Sequence, residues 1–379
     1  MVYEPAEDSE LLKRNISKYA KGRVLDMGTG SGILAEEAKK YADKVYAVDI
    51  DKEALNYCTN KIDGVKFVES DLFSYFEDKN IKFDTIIFNP PYLPKDRGIE
   101  DPALYGGKHG YEIIERFFEE VMDFIHDDTK ILLLFSSFTK KEKVEEIIEN
   151  KCLKYSEIDI EKLFFEKLFV YLVEKSELLK ELEARGISEV EYFARGKRGI
   201  VYKGNLNGKT VTIKAKHPHS QAMGKTKQES DMLQRLNKHG IGPKYLFCGE
   251  NYLVYEFVEG TMLPEFINEN SKEKIAIVLD EVFNQLIELD NLGINKEEMH
   301  KPTKHVIVGK KTVMIDFERA RFTQKPHNIT QFVEYLISGN VYPILRNKGF
   351  VFEKEKLTGM AKEYRHGRAT PEEIRDAIQ

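Results

Sequence analysis

The chain has 379 residues, enough for two domains that each bury a core of their own. Hydrophobic residues make up 41% of it and charged residues 32%, a composition that excludes a disordered chain. The net charge of −6 disfavours a general phosphate-binding surface, although a local basic patch is compatible with it. No apolar run approaches a membrane span, and three widely separated cysteines predict reduced, buried thiols. We therefore expect a cytoplasmic protein without a membrane partner.

Strands and helices alternate through the first half of the chain. Buried-type apolar runs predict strands at 23–28, 44–50, 65–70, 83–89 and 130–137, and helical spacing predicts helices at 31–42, 51–62, 111–125 and 140–150. This alternation is typical of an α/β domain with a mostly parallel sheet covered on both faces. The segments 154–165 and 166–175 have no helix between them, which predicts an antiparallel pair at the sheet edge. We predict that this domain spans residues 1–175.

The second half of the chain follows a different pattern. A charged helical stretch ends at Gly186, and we predict a helical connector over 176–190. The elements predicted beyond it are hairpins at 191–216, a helix at 225–238, strands at 244–257 and helices at 261–292. This order predicts a small α+β domain over 191–350, followed by a charged helical tail over 351–379.

The run FDTIIFNPPYLP ends the fourth strand at a polar residue between an apolar run and two prolines. Proline has no N–H for a sheet ladder and fixes its own φ, so the chain leaves the strand in a rigid shape. The Asn89 side-chain oxygen and the Pro90 carbonyl are suited to accept both N–H bonds of a planar NH2 group, and Tyr92 is suited to stack on it. The simpler interpretation is a proline-rich turn in which Asn89 bonds locally.

A glycine-rich loop joins the first strand to the first helix of this sheet, in the run DMGTGSG from Asp26 to Gly32. Glycine lets the backbone approach a ligand, and open α/β sheets bind ligands at the carboxyl ends of their strands. The spacing differs from the dinucleotide fingerprint GxGxxG. Asp49 ends the second strand, where a carboxylate can accept ribose hydroxyls, and Asp71 ends the third, where an adenine amino group would lie. Each aspartate alone reads as a helix cap or turn residue, but three such features together favour a nucleotide-type cofactor.

The motifs DMGTGSG, AVDI, ESDLF and NPPY, in this order, resemble the class I S-adenosylmethionine-dependent methyltransferases. VYEPAEDSELL (2–12), NPPYLP (89–94) and GGKHGYEIIERF (106–117) resemble the HemK branch, and the EPAEDS opening is most similar to its archaeal and eukaryotic members. The resemblance implies methylation of the glutamine amide in the GGQ loop of a peptide-chain release factor, and a small zinc-binding activator subunit. It implies that S-adenosylmethionine is bound by Glu7, Asp26, Gly28, Thr29, Gly30, Gly32, Asp49, Asp71 and Asn89. The resemblance also implies that the acidic segment Glu4–Asp8 lies over the cofactor, and a helix cap is an equally good interpretation of it.

The methyl acceptor stays open at this point, because NPPY suits any planar NH2 group. Exocyclic amines of RNA or DNA are chemically compatible, and a flipped base needs basic residues around the site. The residues after the motif are of mixed charge: Lys95, Asp96, Arg97, Glu100, Asp101 and Lys108. This mixture favours a protein acceptor.

A second group of motifs lies in the α+β half. The run GKRGIVYKG resembles the glycine-rich loop of protein kinases and contains Gly196, Gly199 and Val201. The run VTIK resembles the kinase VAIK strand and ends in Lys214. Glu229 is spaced to pair with Lys214. In the resemblance, Glu256 and Val258 belong to the nucleotide-binding hinge YLVYEFVEG, and Asp316 of IDFE holds Mg²⁺. The short spacing is similar to the RIO and Bud32-like kinases, so we expect ATP and magnesium as ligands.

The expected catalytic loop departs from the kinase pattern. No aspartate lies between Asp290 and Asp316, and the stretch EEMHKPTKHVIV places His300 at the position of the catalytic aspartate and His305 at that of the metal-binding asparagine. Histidine can act as a base or as a metal ligand. If the loop is shifted along the sequence, Glu297 or Glu298 takes the place of the aspartate instead. Two alternatives stay open: an atypical Ser/Thr kinase, or a pseudokinase that binds nucleotide or recruits a partner without transferring phosphate.

Overall fold

The computed structural model describes residues 6–94, 105–196, 199–216 and 225–378. The chain divides into two compact units, with the boundary between Tyr192 and Phe193. No helix in the described part of the chain is both long and apolar enough to cross a membrane. The cysteines are free thiols, with Cys58 and Cys152 buried and Cys248 partly buried.

A seven-stranded sheet forms the first unit. Its strands are β1 (Arg23–Met27), β2 (Lys44–Asp49), β3 (Val65–Glu69), β4 (Phe83–Phe88), β5 (Ile125–Ser136), β6 (Leu153–Lys162) and β7 (Lys167–Lys175). Its helices are α1 (Glu7–Tyr19), α2 (Ile33–Ala38), α3 (Lys52–Thr59), α4 (Glu112–Glu120), α5 (Lys141–Asn150) and α6 (Glu177–Ala184). The strand order is β3-β2-β1-β4-β5-β7-β6, with β7 antiparallel to both of its neighbours. The predicted α/β fold with an antiparallel closing pair is confirmed.

The elements differ from the predicted ones mainly at their ends. The helix predicted at 111–125 ends as an α-helix at Glu120 and continues as a 3₁₀ turn, Val121–Phe124, and β5 then begins at Ile125 instead of residue 130. Gly186 has φ +82 just after α6, as a helix C-cap requires. A strand, β8 (Ile187–Arg195), starts directly after it, so residues 187–190 are extended and not helical.

The strand that leads to Asn89 is packed on both faces. Ile87 belongs to a buried cluster with α1 and α2, while Phe88 stacks on Phe117 of α4 at 4.6 Å between ring centroids. Successive strand residues point to opposite faces, so these two contacts clamp the end of β4 from above and below. The cluster on the first face contains Leu11, Leu12, Ile16, Val24, Leu34, Ala35, Ile87, Leu132, Leu134 and Val170. A rigid strand end therefore carries the polar residue that follows it.

An antiparallel sheet and a set of helices form the second unit. After β8 the strands are β9 (Gly199–Leu206), β10 (Lys209–Lys216), β11 (Tyr245–Cys248), β12 (Tyr252–Glu256), β13 (Thr261–Met262), β14 (Ile294–Asn295), β15 (Val306–Val308), β16 (Thr312–Met314) and β17 (Arg321–Phe322). The helices are α7 (Lys225–Asn237), α8 (Leu263–Glu269), α9 (Lys272–Asn291), α10 (Asn328–Leu336), α11 (Tyr342–Asn347), α12 (Lys354–Arg365) and α13 (Pro371–Asp376). The main sheet has the order β11-β12-β10-β9-β8.

The last stretch of the chain contributes to the core of this unit. Leu357 of α12 and Ile374 of α13 are fully buried in the same cluster as Phe283 of α9 and Phe332 of α10. Thr370 caps α13 through a capping box with Glu373, as the Thr-Pro-Glu-Glu start predicts. The charged tail predicted at 351–379 thus packs with its apolar face inward.

Candidate active site

The glycine-rich loop lies at the carboxyl edge of the sheet, between the ends of β2 and β4. Met27, the last residue of β1, pairs with Val48 on one side and Phe88 on the other. The loop folds onto β2, because Thr29 N–H donates to the Val48 carbonyl at 2.9 Å and Gly30 N–H donates to Asp49 Oδ2 at 2.8 Å. The parallel register therefore brings the predicted cofactor loop, Asp49 and the NPPY segment to one edge.

The structure requires glycine at different positions of this loop for different reasons. Gly28, Gly30 and Gly32 all have positive φ, between +51 and +81. A Cβ on Gly32 would lie 2.6 Å from Ile62 Cδ1 and 2.9 Å from Cys58 Sγ, so this glycine permits close helix packing. A Cβ on Gly28 would meet no described atom within 4 Å, so Gly28 borders open space. The loop is closed towards the helices and open at Gly28.

Asp26 is completely buried beneath the loop. Its Oδ2 accepts hydrogen bonds from the Thr29 hydroxyl at 2.6 Å and from Ala35 N–H at 3.1 Å. Its Oδ1 is buried without a hydrogen-bond partner among the described residues. Burial raises the pKa of this carboxyl to about 7, against the hydrogen bonds from Thr29 and Ala35. A buried acid with one free acceptor atom is suited to a cationic ligand group.

The other acids predicted to bind the cofactor are less buried. Asp49 Oδ1 accepts from Asp51 N–H at 2.9 Å while Oδ2 accepts from Gly30, so the carboxylate is fixed and each oxygen retains a second lone pair. Asp71 pairs with Arg116 Nη2 at 3.0 Å. The Glu7 side chain is exposed at the start of α1.

Asn89 has a partner that the sequence did not point to. Its Nδ2 donates to Oδ2 of the buried Asp8 in α1 at 3.0 Å. Its Oδ1 is buried, and no described residue donates a hydrogen bond to it. The contact therefore uses the donor end of the amide and leaves an acceptor oxygen at the carboxyl end of β4.

The glycines of the GGKHG motif brace the NPPY segment from behind. Gly106 N–H donates to the Leu93 carbonyl at 3.0 Å, and a Cβ on Gly106 would lie 2.2 Å from the Pro91 carbonyl oxygen. Gly110 has φ +87, and a Cβ there would lie 2.3 Å from the Tyr92 carbonyl oxygen. On the other side, the Thr139 hydroxyl donates to that same Tyr92 oxygen at 3.1 Å. The segment is thus held between two glycines and a threonine.

Some predicted features lie outside the described residues. These are Glu4 of the acidic opening, Lys197 and Arg198 of the second glycine-rich loop, and Lys95, Asp96, Arg97, Glu100 and Asp101.

Comparison with known proteins places this site in a family. Residues 5–164 match the family described as methyltransferase small domain. A putative protein N5-glutamine methyltransferase of Methanocaldococcus jannaschii is 40% identical over 158 residues, which are 38% of this chain and 78% of that protein. The chain belongs to the protein N5-glutamine methyltransferase family. It is an S-adenosylmethionine-dependent methyltransferase.

Further relatives share shorter segments with this methyltransferase. The release factor glutamine methyltransferase of Fusobacterium nucleatum is 36% identical over 105 residues, 24% of this chain and 29% of that enzyme. The chain thus spans less than a third of that relative. Among solved structures, the E. cuniculi Mtq2-Trm112 complex, responsible for methylation of the eRF1 translation termination factor, is 27% identical over 46% of this chain and 99% of that one, with a TM-score of 0.40.

The residues of the methyltransferase site fit the cofactor. The Oδ1 atoms of Asp26 and Asn89 are buried acceptors without a described partner, and a Cβ on Gly28 would meet no described atom within 4 Å. These are the groups that a ligand with an ammonium, a ribose and a reacting methyl group would use. S-adenosylmethionine supplies an electrophilic methyl group on a sulfonium centre.

The second unit of the methyltransferase contains a buried ionic cluster. Lys214 Nζ on β10 contacts both carboxylate oxygens of Glu229 on α7, at 2.9 and 2.7 Å, and Asp316 Oδ1 at 2.8 Å. Burial acts to lower the pKa of Lys214, but the two carboxylates outweigh it and raise that pKa. Burial acts to raise the pKa of Asp316, and Lys214 holds it at about 2. The strand lysine, helix glutamate and aspartate that the sequence singled out therefore meet.

The surroundings of Asp316 include a residue that the sequence reasoning missed. Lys296 is 1% exposed, and its Nζ donates to the Asp316 carbonyl at 2.9 Å. Burial lowers the pKa of Lys296 to about 8. His305 is also near, and burial together with Lys296 lowers its pKa; its Nδ1 has no partner among the described residues. His300 is exposed.

The other residues predicted to bind ATP lie around the same sheet. Gly196 N–H donates to the Gly199 carbonyl at 2.9 Å across the base of the glycine-rich turn, and Val201 follows on β9. Glu256 ends β12 and pairs with Lys244 at 3.0 Å, and Val258 lies two residues further on. No three His, Cys, Asp or Glu side chains of the described residues converge in a way that could hold a metal ion. Asp316 and His305 as magnesium ligands stay a prediction.

Proposed function

We propose that the first unit transfers the methyl group of S-adenosylmethionine to the side-chain amide of a glutamine, in the GGQ loop of a peptide-chain release factor. The hydrogen bond from Asn89 to Asp8 carries this proposal. It occupies the donor end of the Asn89 amide and leaves the buried Asn89 oxygen without a described partner, and a planar NH2 group needs such an acceptor. The family supports glutamine as the methylated residue, since two of its members are named for that activity.

The proposed chemistry depends on position more than on acid–base catalysis. An amide nitrogen is a poor nucleophile because its lone pair is delocalised into the carbonyl. Asn89 Oδ1 and the Pro90 carbonyl accept its two N–H bonds, which fixes the nitrogen against the methyl donor. Tyr92, whose ring packs against the buried cluster of the first unit, is the residue that we propose to stack on the amide. The buried strand end and the Gly106, Gly110 and Thr139 contacts keep this frame rigid.

Incubation with radiolabelled cofactor and purified release factor tests the proposal. We expect label in the release factor, and none when its GGQ glutamine is replaced by alanine. Asn89→Ala should abolish transfer. Label that survives the glutamine replacement would contradict the glutamine assignment. Label that appears in RNA or DNA and not in protein would show an exocyclic-amine methyltransferase instead.

We propose nucleotide binding as the function of the second unit. The cluster of Lys214, Glu229 and Asp316 supports it, because a buried lysine held by a helix glutamate is the arrangement that kinases use for nucleotide phosphates. Kinase-type phosphate transfer through His300, with Asp316 and His305 on magnesium, is the finer form of this proposal. Titration calorimetry with Mg-ATP tests binding. A release of radiolabelled phosphate that Asp316→Ala abolishes would support transfer, and binding without turnover would support a pseudokinase.

A small zinc-binding activator is the remaining partner that we propose. The resemblance implies it, and β3 is an edge strand of the sheet with a half-exposed face, which leaves a place for an added strand. Co-expression with such a protein should raise methyl transfer and give co-elution. Full activity of the chain alone, without co-elution, would exclude the activator.

A further inference from the structure

The turn between β6 and β7 carries two phenylalanines that the fold does not use. Leu163 N–H donates to the Glu166 carbonyl at 2.8 Å, which closes the hairpin and leaves Phe164 and Phe165 as its tip. Phe164 is 92% exposed and Phe165 is 83% exposed. Their rings meet edge to face, with centroids 4.5 Å apart. Hairpin tips are usually Gly, Asn, Asp or Ser, so neither turn chemistry nor core packing accounts for this pair.

The tip lies at the same edge of the sheet as Asn89. β7 runs antiparallel to β5, so Leu168 at its start pairs with Ser136 at the carboxyl end of β5. Lys167 N–H donates to the Ser137 hydroxyl at 3.1 Å, which ties the hairpin to the short 3₁₀ turn Ser137–Thr139. Thr139 of that turn is the residue whose hydroxyl holds the Tyr92 carbonyl. The hairpin tip and the NPPY segment are therefore anchored on one three-residue turn.

The same turn carries a third exposed aromatic side chain, Phe138, which is 46% exposed. Phe138, Phe164 and Phe165 together are the aromatic ledge. Exposed apolar groups gathered beside a reactive site indicate a contact surface more than chance exposure does.

We propose that the aromatic ledge docks the methyl-accepting protein, by entering an apolar pocket beside its acceptor loop. This inference rests on the proposed glutamine methylation. It adds an interaction surface outside the residues that hold the cofactor and the amide. The continuity of the ledge with the Thr139–Tyr92 contact is the reason to assign it to the acceptor: a protein whose glutamine reaches Asn89 must pass this edge.

Two other occupants are disfavoured by the ledge itself. A membrane surface attracts clustered basic residues, but the hairpin tip is flanked by two acids and two bases, Glu161, Lys162, Glu166 and Lys167. A second copy of the chain needs about 800 Å² of buried surface from each partner, and the three phenylalanines of the ledge contribute only about 150–250 Å² each. A small apolar contact suits a substrate that must leave after each turnover.

Steady-state methylation of release factor by the full chain tests the proposal, with the double variant Phe164→Ser, Phe165→Ser. We expect the KM for release factor to rise roughly thirtyfold, because a few buried aromatic side chains dominate most interfaces. The kcat and the Kd for S-adenosylmethionine should stay within about twofold, since the tip is exposed. A ten-residue peptide around the GGQ loop, which lacks the folded surface beside that loop, should be methylated equally by both proteins.

Matched variants separate docking from other effects. Phe164→Leu, Phe165→Leu keeps an apolar tip and should restore most of the KM. The double variant Ile277→Ser, Val351→Ser is the control, because it replaces two exposed apolar residues of the second unit, which are 62% and 75% exposed. It should leave the KM and the kcat unchanged. A KM for release factor that the serine variant leaves unchanged would overturn the proposal. Two further results would overturn it. They are binding of the wild-type chain to phosphatidylcholine–phosphatidylserine vesicles, or a dimer of it in solution, if the serine variant abolishes either one without changing the KM for release factor.

The docking proposal and the proposed function fail in different ways. Binding of wild-type chain to release factor that depends on the ledge, without any methylation, would contradict the function and keep the docking surface. Methylation of release factor that does not depend on the ledge would contradict the docking surface and keep the proposed function. If the wild-type chain neither binds nor methylates release factor, both are wrong.

Discussion

Asp8 Oδ2 accepts a 3.0 Å hydrogen bond from Asn89 Nδ2, and this contact fixes which end of the Asn89 amide faces the methyl-transfer site. Asp8 is buried in the first turn of α1, and Asn89 follows the last residue of β4. An ionised carboxylate only accepts hydrogen bonds, so it selects the NH2 end of its partner. In the proposed mechanism, the acceptor oxygen of Asn89 is then available to the substrate before the substrate arrives.

Removal of this acceptor should slow methyl transfer without loss of the cofactor. In Asp8→Ala the Asn89 amide is free to rotate and present its NH2 group to an incoming NH2 group. We expect kcat to fall about 100-fold, the typical cost of a misplaced reacting group, while the Kd for S-adenosylmethionine stays within twofold. Single-turnover methylation and calorimetry measure the two quantities.

Two companion variants show whether the effect is positional. Asp8→Asn retains an acceptor oxygen and should lose much less activity than Asp8→Ala. Glu10→Ala removes an exposed acid of the same helix, paired with Lys13 at 3.2 Å, and should leave kcat unchanged. Equal losses of kcat and of cofactor affinity in Asp8→Ala would point to damage of the helix instead.

Gly110 is expected to tolerate no side chain, because its φ is +87 and a Cβ would lie 2.3 Å from the Tyr92 carbonyl oxygen. Gly110→Ala should therefore displace the NPPY segment and reduce kcat at least tenfold, in addition to a strain of about 1 kcal/mol. Gly64 is a matched control, since it has φ +78 but no described atom within 4 Å of a Cβ. Gly64→Ala should show the strain in a thermal melt and keep full activity. Similar activities of the two variants would show that the close approach to Tyr92 does not matter.

Part of this site could be predicted from the sequence, because several of its residues lie next to strands that the sequence predicts. The glycine-rich loop, Asp49 and Asn89 each follow a strand directly, so the parallel sheet alone brings them together. The segment Glu4–Asp8 was singled out, but the pairing of Asp8 with Asn89 was not predicted, because an acid in the first turn of a helix is satisfied by the helix itself and gives no sign of a partner 81 residues away. Thr139 was missed for the same reason.

Backbone conformation limited what the sequence indicated about the second unit. Lys214 and Glu229 were predicted to pair because the resemblance to kinases implies a strand lysine that pairs with a glutamate on the next helix. The stretch before β15 is not ordinary, since Glu297 and Glu298 have positive φ and Lys296 is buried instead of exposed. Matching the kinase catalytic-loop motif to this stretch assumes a loop of standard conformation. That match indicated His300, which is exposed, and did not indicate Lys296.

The buried Asp26 should make stability depend on pH. Burial raises its pKa from the ordinary value of 3.8 to about 7, so between these values the folded protein holds a proton that the unfolded chain has lost. The stabilisation of the folded protein by this bound proton is complete below pH 4 and disappears as the pH rises through 7. Over that range the free energy of unfolding should fall by at most about 1.4 kcal/mol per pH unit. Urea unfolding of the cofactor-free protein at pH 5, 6, 7 and 8 measures it.

Asp26→Asn isolates this contribution from other titrating groups. The difference between the two proteins in free energy of unfolding should change across pH 4–7 and be constant above pH 8. A cationic ligand group favours the ionised carboxylate, so S-adenosylmethionine should bind wild-type protein more tightly as the pH rises through 7, and the variant should lose this trend. Parallel stability curves for both proteins would contradict the assignment.

Lys214 should be required for nucleotide binding and for the stability of the second unit. Lys214→Met leaves Glu229 and Asp316 without their shared cation, and the buried Glu229 then lacks a partner, which should destabilise this unit. We expect Mg-ATP affinity to fall at least about 100-fold by calorimetry, while methyl transfer stays within twofold, because the first unit has its own core. Lys209→Met is the control, an exposed lysine of the same strand whose loss should affect neither property. Unchanged Mg-ATP affinity in a folded Lys214→Met protein would remove the basis for a nucleotide site in this unit.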